Sequence, residues 1–168
     1  MMSNPSRRNF LRGRLSTCRS PALHPPGAHA GFLQLCTQCG DCSRACPQAI
    51  VVQSVSGFPE LDFSKGACTF CQDCMRACPT GALAQDDTPE WPWRASVGAT
   101  CLSLAGIACR TCEDGCGERA LRFRLVTGGR AIPLIDTDLC TGCGECAYVC
   151  PAGAITFTVS QPGQEVQA

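Results

Sequence analysis

Twelve cysteines fall into three runs of one spacing: Cys36, Cys39, Cys42 and Cys46; Cys68, Cys71, Cys74 and Cys78; Cys140, Cys143, Cys146 and Cys150. Each run reads C-x2-C-x2-C-x3-C, and each is followed by a proline (Pro47, Pro79, Pro151). Three thiolates two residues apart on a tight loop reach three corners of one iron–sulfur cubane. The fourth points elsewhere, and in two-cluster ferredoxins it ligates the other cluster. The proline after it redirects the chain. Zinc sites usually draw on two separated C-x2-C pairs rather than three cysteines in one loop. Disulfides suit an oxidising compartment, for which no cleavable leader is read here. The spacing therefore predicts [4Fe–4S] clusters, three from the complete runs, with a fourth left open by an altered one.

The altered run is formed by Cys101, Cys109, Cys112 and Cys116. Cys109-x2-Cys112-x3-Cys116 matches the last three positions, and Cys101 stands as the first, displaced by a longer insert. The register that follows supports this. Ala82-Leu83 comes four and five residues after Cys78, Ala154-Ile155 after Cys150, and Ala120-Leu121 after Cys116; Ala49-Ile50 follows Cys46 one residue closer. Gly117 stands where the proline is expected. Two readings stay open: a fourth cluster site, or a decayed repeat in which Cys116 still serves the third cluster or Cys150 closes its own loop.

The repeats pair, and the pairing sets the elements that must position the thiols. Phe58-Pro59-Glu60-Leu61-Asp62 precedes Cys68 as Ile132-Pro133-Leu134-Ile135-Asp136 precedes Cys140. Both read as the second strand of a hairpin feeding a cluster loop. Ile50-Val51-Val52 and Leu121-Arg122-Phe123 are the first strands, and Ser56-Gly57 and Gly128-Gly129 the turns. The predicted fold is α+β: two tandem bacterial-type two-[4Fe–4S] ferredoxin-like units, nucleated by their clusters, with a flexible basic N-terminal arm. The arm takes residues 1–30, the first unit 31–85, a linker 86–94, the second unit 95–160 and a tail 161–168. The pairing crosses the ligands. The first cluster takes Cys36, Cys39, Cys42 and Cys78, and the second Cys68, Cys71, Cys74 and Cys46. The third takes Cys140, Cys143, Cys146 and Cys116, and the fourth Cys101, Cys109, Cys112 and Cys150. Trp91 and Trp93 are read as packing between the units, with an exposed partner anchor as the alternative.

Composition agrees with a fold held by more than side-chain burial. The chain has 168 residues, 17 of them cysteine, and is 45% hydrophobic with cysteine counted. Without the cysteines only about a third is apolar, which is thin for two cores. The uncharged stretch between Arg94 and Arg110 is fifteen residues long and carries Gly98, Thr100, Ser103 and Gly106. A membrane span needs roughly 20 predominantly apolar residues, so it reads as buried protein. Residues 1–40 hold Arg7, Arg8, Arg12, Arg14 and Arg19 and no acidic residue. Of 14 basic and 14 acidic residues in all, 9 basic and 14 acidic remain for residues 41–168, a charge of −5. Oxidised cubanes with four thiolates add about −2 each. Ser6-Arg7-Arg8-Asn9-Phe10-Leu11-Arg12 looks like a twin-arginine export motif, but Gly13 to Pro21 supplies no apolar core, so retention in the cytoplasm is expected. Cys18, His24 and His29 lie in the arm and read as solvated, with a labile metal-handling thiol at Cys18 as the alternative.

Together these features resemble the NapF family, ferredoxin-type accessory proteins of periplasmic nitrate reductase systems. The resemblance rests on the Ser-Arg-Arg-x-Phe-Leu start at Ser6, the three C-P runs, and the segment from Trp91-Pro92-Trp93 through Cys101-Leu102 to Gly106-Ile107-Ala108-Cys109-x2-Cys112. It implies a cytoplasmic protein that meets the catalytic molybdenum subunit before export and helps it acquire a [4Fe–4S] cluster. It implies no catalytic residue, and carries over the twelve cysteines of the complete runs as ligands. A polyferredoxin electron carrier is the alternative, and a redox sensor a third reading. No nucleic-acid partner is expected. An enzyme is disfavoured: there is no phosphate-cradling glycine loop, no nucleophile elbow and no His-rich metal site.

Overall fold

The computed structural model describes residues 22–84, 91–128 and 130–159. Short elements alternate along the chain: α1 Phe32–Leu35, α2 Asp41–Ala45, β1 Val51–Gln53, β2 Pro59–Leu61, α3 Asp73–Arg76, β3 Trp93–Val97, α4 Thr111–Asp114, β4 Leu121–Val126, β5 Arg130–Ile135, α5 Glu145–Tyr148 and β6 Ile155–Val159. Among the described residues three two-stranded antiparallel sheets form, β1–β2, β4–β5 and β3–β6. The two hairpins are those that the strand–turn patterns predict. Val51 faces Leu61 in the first, and Leu121 faces Ile135 in the second. The helices are four or five residues long, far below the length at which a helix is stable alone. They exist because cluster loops lead into them: α2, α3 and α5 each begin one residue before the third cysteine of a run.

The β3–β6 pair closes the second unit by joining its first strand to its last, with Trp93 opposite Val159 and Val97 opposite Ile155. Strand β3 starts at Trp93, inside the segment assigned to the linker by its prolines and tryptophans. In the first unit the equivalent closure is one bridge, Ala28 to Leu83. The sequence places residues 22–30 in the arm, yet they pack on the first unit. The Leu61 N–H donates to the Leu23 carbonyl at 2.7 Å, Pro25 is fully buried, and Leu23 and Ala28 lie against the core. The five arginines all precede this stretch, and its Leu, Pro and Ala residues have an apolar surface to cover. His24 is likewise no solvated bystander. Its ring packs at a tilt against Phe32, centroids 4.6 Å apart, and Nδ1 lies 2.9 Å from the Pro59 carbonyl oxygen. His29 stays exposed, with Nε2 3.3 Å from the Gly81 carbonyl oxygen. Cys18, Arg7 and Arg8 lie outside the described residues.

The core of the first unit gathers Phe32, Ile50, Val51, Leu61, Phe63, Met75, Ala82 and Leu83. Trp93, Ala95, Ala120, Leu121 and Ala154 are buried in the second. The units meet. Trp91, Ala147 and Phe157 pack against the first unit's core, and the rings of Phe63 and Phe157 lie 4.8 Å apart. Trp91 thus lies between the units. Among the described residues no helix is long and apolar enough to cross a membrane.

Four cysteine-lined cavities as the candidate cluster site

The backbone of the cluster loops is unusual in a repeated way. In all three complete runs the residues two and four positions after the first cysteine have positive φ: Gln38 and Gly40, Phe70 and Gln72, Gly142 and Gly144. Alternating left- and right-handed residues turn successive N–H groups to one side and make a concave nest for an anion, a device common at Fe–S sites. For Gln38, Phe70 and Gln72 this conformation costs on the order of 1–2 kcal/mol each, so something in the loop must over-determine it. A second repeated position lies three residues after each fourth cysteine: Ala49, Gly81, Arg119 and Gly153, with φ of 54°, 68°, 53° and 55°. It corrects the register read after Cys46. Ala49 occupies the left-handed position, so the buried pair that matches Ala82-Leu83 is Ile50-Val51, at the same offsets as in the other repeats. Gly117 does not disturb this turn in the altered repeat, where Arg119 N–H still donates to the Cys116 carbonyl at 3.0 Å.

The thiols surround four separate cavities. Cys36, Cys39, Cys42 and Cys78 line one. Cys46, Cys68, Cys71 and Cys74 line the second, and Cys116, Cys140, Cys143 and Cys146 the third. Cys101, Cys109, Cys112 and Cys150 line the fourth. In each set one cysteine comes from the partner repeat of the same unit. The insert that displaces Cys101 folds into consecutive turns, with Ala105 N–H donating to the Cys101 carbonyl at 3.1 Å and Ile107 N–H to that of Leu102 at 2.9 Å. Ser103, 3% exposed, donates its hydroxyl to the Ala131 carbonyl on β5 at 2.6 Å. These bonds hold Cys101 buried at its cavity.

The donor set fits a thiolate-bound cubane. Among the described residues no group of three or more His, Cys, Asp or Glu could hold a metal ion, whereas four thiols line each of these cavities. Burial pushes Cys68 up to about 11, Cys74 to about 12, Cys112 to about 11 and Cys146 to about 12, with neighbouring thiols adding to the rise in each case. Such thiols favour a cationic partner that replaces the proton. Cys78 behaves differently. Burial alone would raise it, but hydrogen bonds from the Leu83 backbone and from Thr80 and Ala82 outweigh that and hold it below the ordinary thiol value. Sulfur also accepts from Phe70 N–H at Cys68, 3.4 Å, and from Ala154 N–H at Cys150, 3.3 Å. Hydrogen bonds of this kind tune cluster potentials.

The cavities differ in size. Three enclose about 20 Å3 each, whereas the second encloses about 460 Å3. The excess is an annexe walled by Pro26, Ile50, Leu61, Met75 and Trp91, with Arg94 and Thr141 at the side of the second unit. Arg94 is held by backbone carbonyls of Trp91 (2.7 Å), Trp93 (2.9 Å) and Thr137 (3.0 Å). Sequence reasoning missed Arg94 and also the threonine that follows the first cysteine of every complete run. Thr37, Thr69 and Thr141 all line cavities. The recurring Cys-Thr pair was the available signal.

Comparison with known proteins agrees with this chemistry. Residues 35–82 match a 4Fe-4S dicluster domain and residues 133–156 a 4Fe-4S binding domain. This is an iron–sulfur protein of ferredoxin type with two such domains. The chain is 42% identical to the ferredoxin-type protein NapF of Haemophilus influenzae, over 93% of this chain and 95% of that one. It is 36% identical to NapF of Escherichia coli K12, over 93% and 96%. More distant is the methylamine utilization ferredoxin-type protein MauM of Methylorubrum extorquens, at 34% over 86% and 74%. Matched along nearly its whole length by relatives that share one name, the chain belongs to the NapF family of ferredoxin-type proteins.

Proposed function

We propose that the chain is an accessory protein that carries four [4Fe–4S] clusters and assists cluster assembly on the catalytic molybdenum subunit of periplasmic nitrate reductase, in the cytoplasm before export. The ligand sets are the four groups of thiols around the four cavities. The clusters supply one-electron and cluster-transfer chemistry, and the chain holds, screens and releases them.

One observation carries the maturation reading: the roomy second cavity. A cluster that is passed on must be reached by an incoming thiolate. Cys71 is exposed, and the cavity of about 460 Å3 that it lines extends past the four thiols to Pro26, Trp91 and Arg94, which leaves a side from which a foreign ligand can approach. Cys39 is also exposed at the first site, but the cavity there is far smaller than the second and is lined from the first unit alone. Once freed at neutral pH, Cys68 and Cys74 take up protons, because burial raises both, and a protonated thiol does not compete for iron. The basic segment holding Arg7, Arg8, Arg12, Arg14 and Arg19 supports a salt-sensitive contact with an acidic partner surface.

The test is to delete the gene, isolate the reductase and count its iron. Iron-poor reductase, restored by the wild-type gene and poorly by Cys71→Ser, is the expected result. A fully loaded reductase with slow turnover would favour the electron carrier, and an altered amount of normal reductase would favour a sensor. Either would overturn the maturation role.

A further inference from the structure

The two units touch through their cluster loops. The backbone N–H of Cys68, in the second set, donates to the carbonyl of Cys143, in the third, at 2.7 Å. Thr141 lines both the second and the third cavity. Trp91 braces the junction from the side: its Nε1–H donates to the Gly142 carbonyl at 3.4 Å, and its ring meets that of Phe70 edge-on, centroids 6.1 Å apart. Within each unit the sets also adjoin. Cys42 acts electrostatically on Cys74 in the first, and Cys112 on Cys146 in the second. The first set therefore adjoins the second, the second the third and the third the fourth, and the inter-unit step is a direct contact between two ligand residues.

We propose that Cys68 and Cys143 join the second and third cluster sites into one electron path, so that the two units act as a single four-centre relay. Tunnelling between centres weakens steeply with distance and with gaps in the intervening medium. Here one peptide hydrogen bond, from the Cys68 N–H to the Cys143 carbonyl, links the two ligand residues directly. The step is a one-electron exchange: the reduced second centre is oxidised, the third is reduced, no bond is made or broken, and no proton is released. A low-potential one-electron donor, such as a reduced flavin or ferredoxin, loads one end, and a one-electron acceptor drains the other. The relay goes beyond cluster delivery and rests only on the four thiol sets being occupied.

The test uses full-length protein purified anaerobically and reduced with dithionite. The variant Cys36→Ser/Cys39→Ser/Cys109→Ser/Cys112→Ser removes the outer sets. Its electron paramagnetic resonance spectrum is expected to show two spin-coupled centres, the splitting vanishing when Cys146→Ser is added. Two independent signals at full iron content would overturn the proposal, and so would missing iron in the second or third set of the wild-type protein. A second measurement compares Cys36→Ser/Cys39→Ser with and without Cys146→Ser, so that the first set cannot mask the loss. Losing a coupled neighbour should make the second centre's signal saturate at lower microwave power, and unchanged saturation would refute the junction. Neither readout involves the reductase, so failure here is distinct from failure of the maturation role.

Discussion

Gly144→Ala tests whether the fit between the units stabilises the loaded protein. Gly144 lies in the third cluster loop with φ of +90°, and a Cβ built there would overlap the Phe63 ring of the first unit. Two costs follow. A left-handed alanine costs roughly 1–2 kcal/mol, and displacing a buried ring from a packed site costs about 1–3 kcal/mol. Gly128 provides the control. It sits in the β4–β5 turn at φ of +87°, and a Cβ there meets nothing within 4 Å, so Gly128→Ala bears only the backbone cost. The difference, about 1–3 kcal/mol, corresponds to roughly 5- to 160-fold in rate if the contact is already lost in the transition state for unfolding. Cluster proteins unfold irreversibly, so a rate is the proper readout. The assay is bleaching of cluster absorbance at fixed denaturant, anaerobically. Gly144→Ala should bleach at least fivefold faster than Gly128→Ala, and adding Phe63→Val should recover most of the excess. Equal rates for the two alanine variants would show that the overlap with Phe63 does not matter, and the account of the interface would fail.

Changing Cys46 to Ser should deplete the cluster held with Cys68, Cys71 and Cys74 and spare the one held by Cys36, Cys39 and Cys42; iron analysis with resonance Raman on the variant checks this. Wild-type protein should bind about sixteen iron atoms, four per cubane, and a count near twelve would show the altered run empty. Removing all iron should abolish most far-UV secondary structure, because the apolar core is thin and cluster binding supplies much of the folding free energy; a native-like spectrum would contradict this. Reconstitution should be pH-dependent. Thiols raised to about 11 or 12 at Cys68, Cys74, Cys112 and Cys146 are protonated at neutral pH. Ligation releases those protons, so yield should climb as pH rises from about 7 to 9 and fall below it, measured by absorbance at equal iron and sulfide.

The chemistry was legible in the sequence because ligand spacing is local: three cysteines in one short loop carry their meaning without the rest of the fold. The hairpins were legible for the same reason, each being two short apolar runs around a turn. What escaped was non-local. The β3–β6 pairing joins residues about sixty apart in the chain, and nothing in Trp93–Val97 names Ile155–Val159 as its partner. Residues 22–30 were read with the arginines that precede them, although Leu23, Pro25 and Ala28 have their own surface to cover. The register after Cys46 misled for a backbone reason. Alanine at position 49 looked like the buried Ala82, but it stands in for Gly81, a substitution visible only in φ. The contact of Cys68 with Cys143 has no sequence signature at all, since both residues read simply as ligands.

The strand that closes the second unit bears on how the chain emerges from the ribosome. The first unit is closed by Ala28 and Leu83, and its eight cysteines lie between residues 36 and 78. It can be complete while the second half is still being made. The second unit cannot close until β6, ending at Val159, has appeared to pair with β3, and its fourth set waits for Cys150. During that interval Cys101, Cys109, Cys112 and Cys116 are exposed thiols with no finished site. A finished first unit beside them offers Phe63 and the Cys68 N–H, the surfaces on which the later half docks. Domains generally fold in order of synthesis, and here that order makes the first half a template for the second. Swapping the order of the halves would preserve every ligand and remove the template.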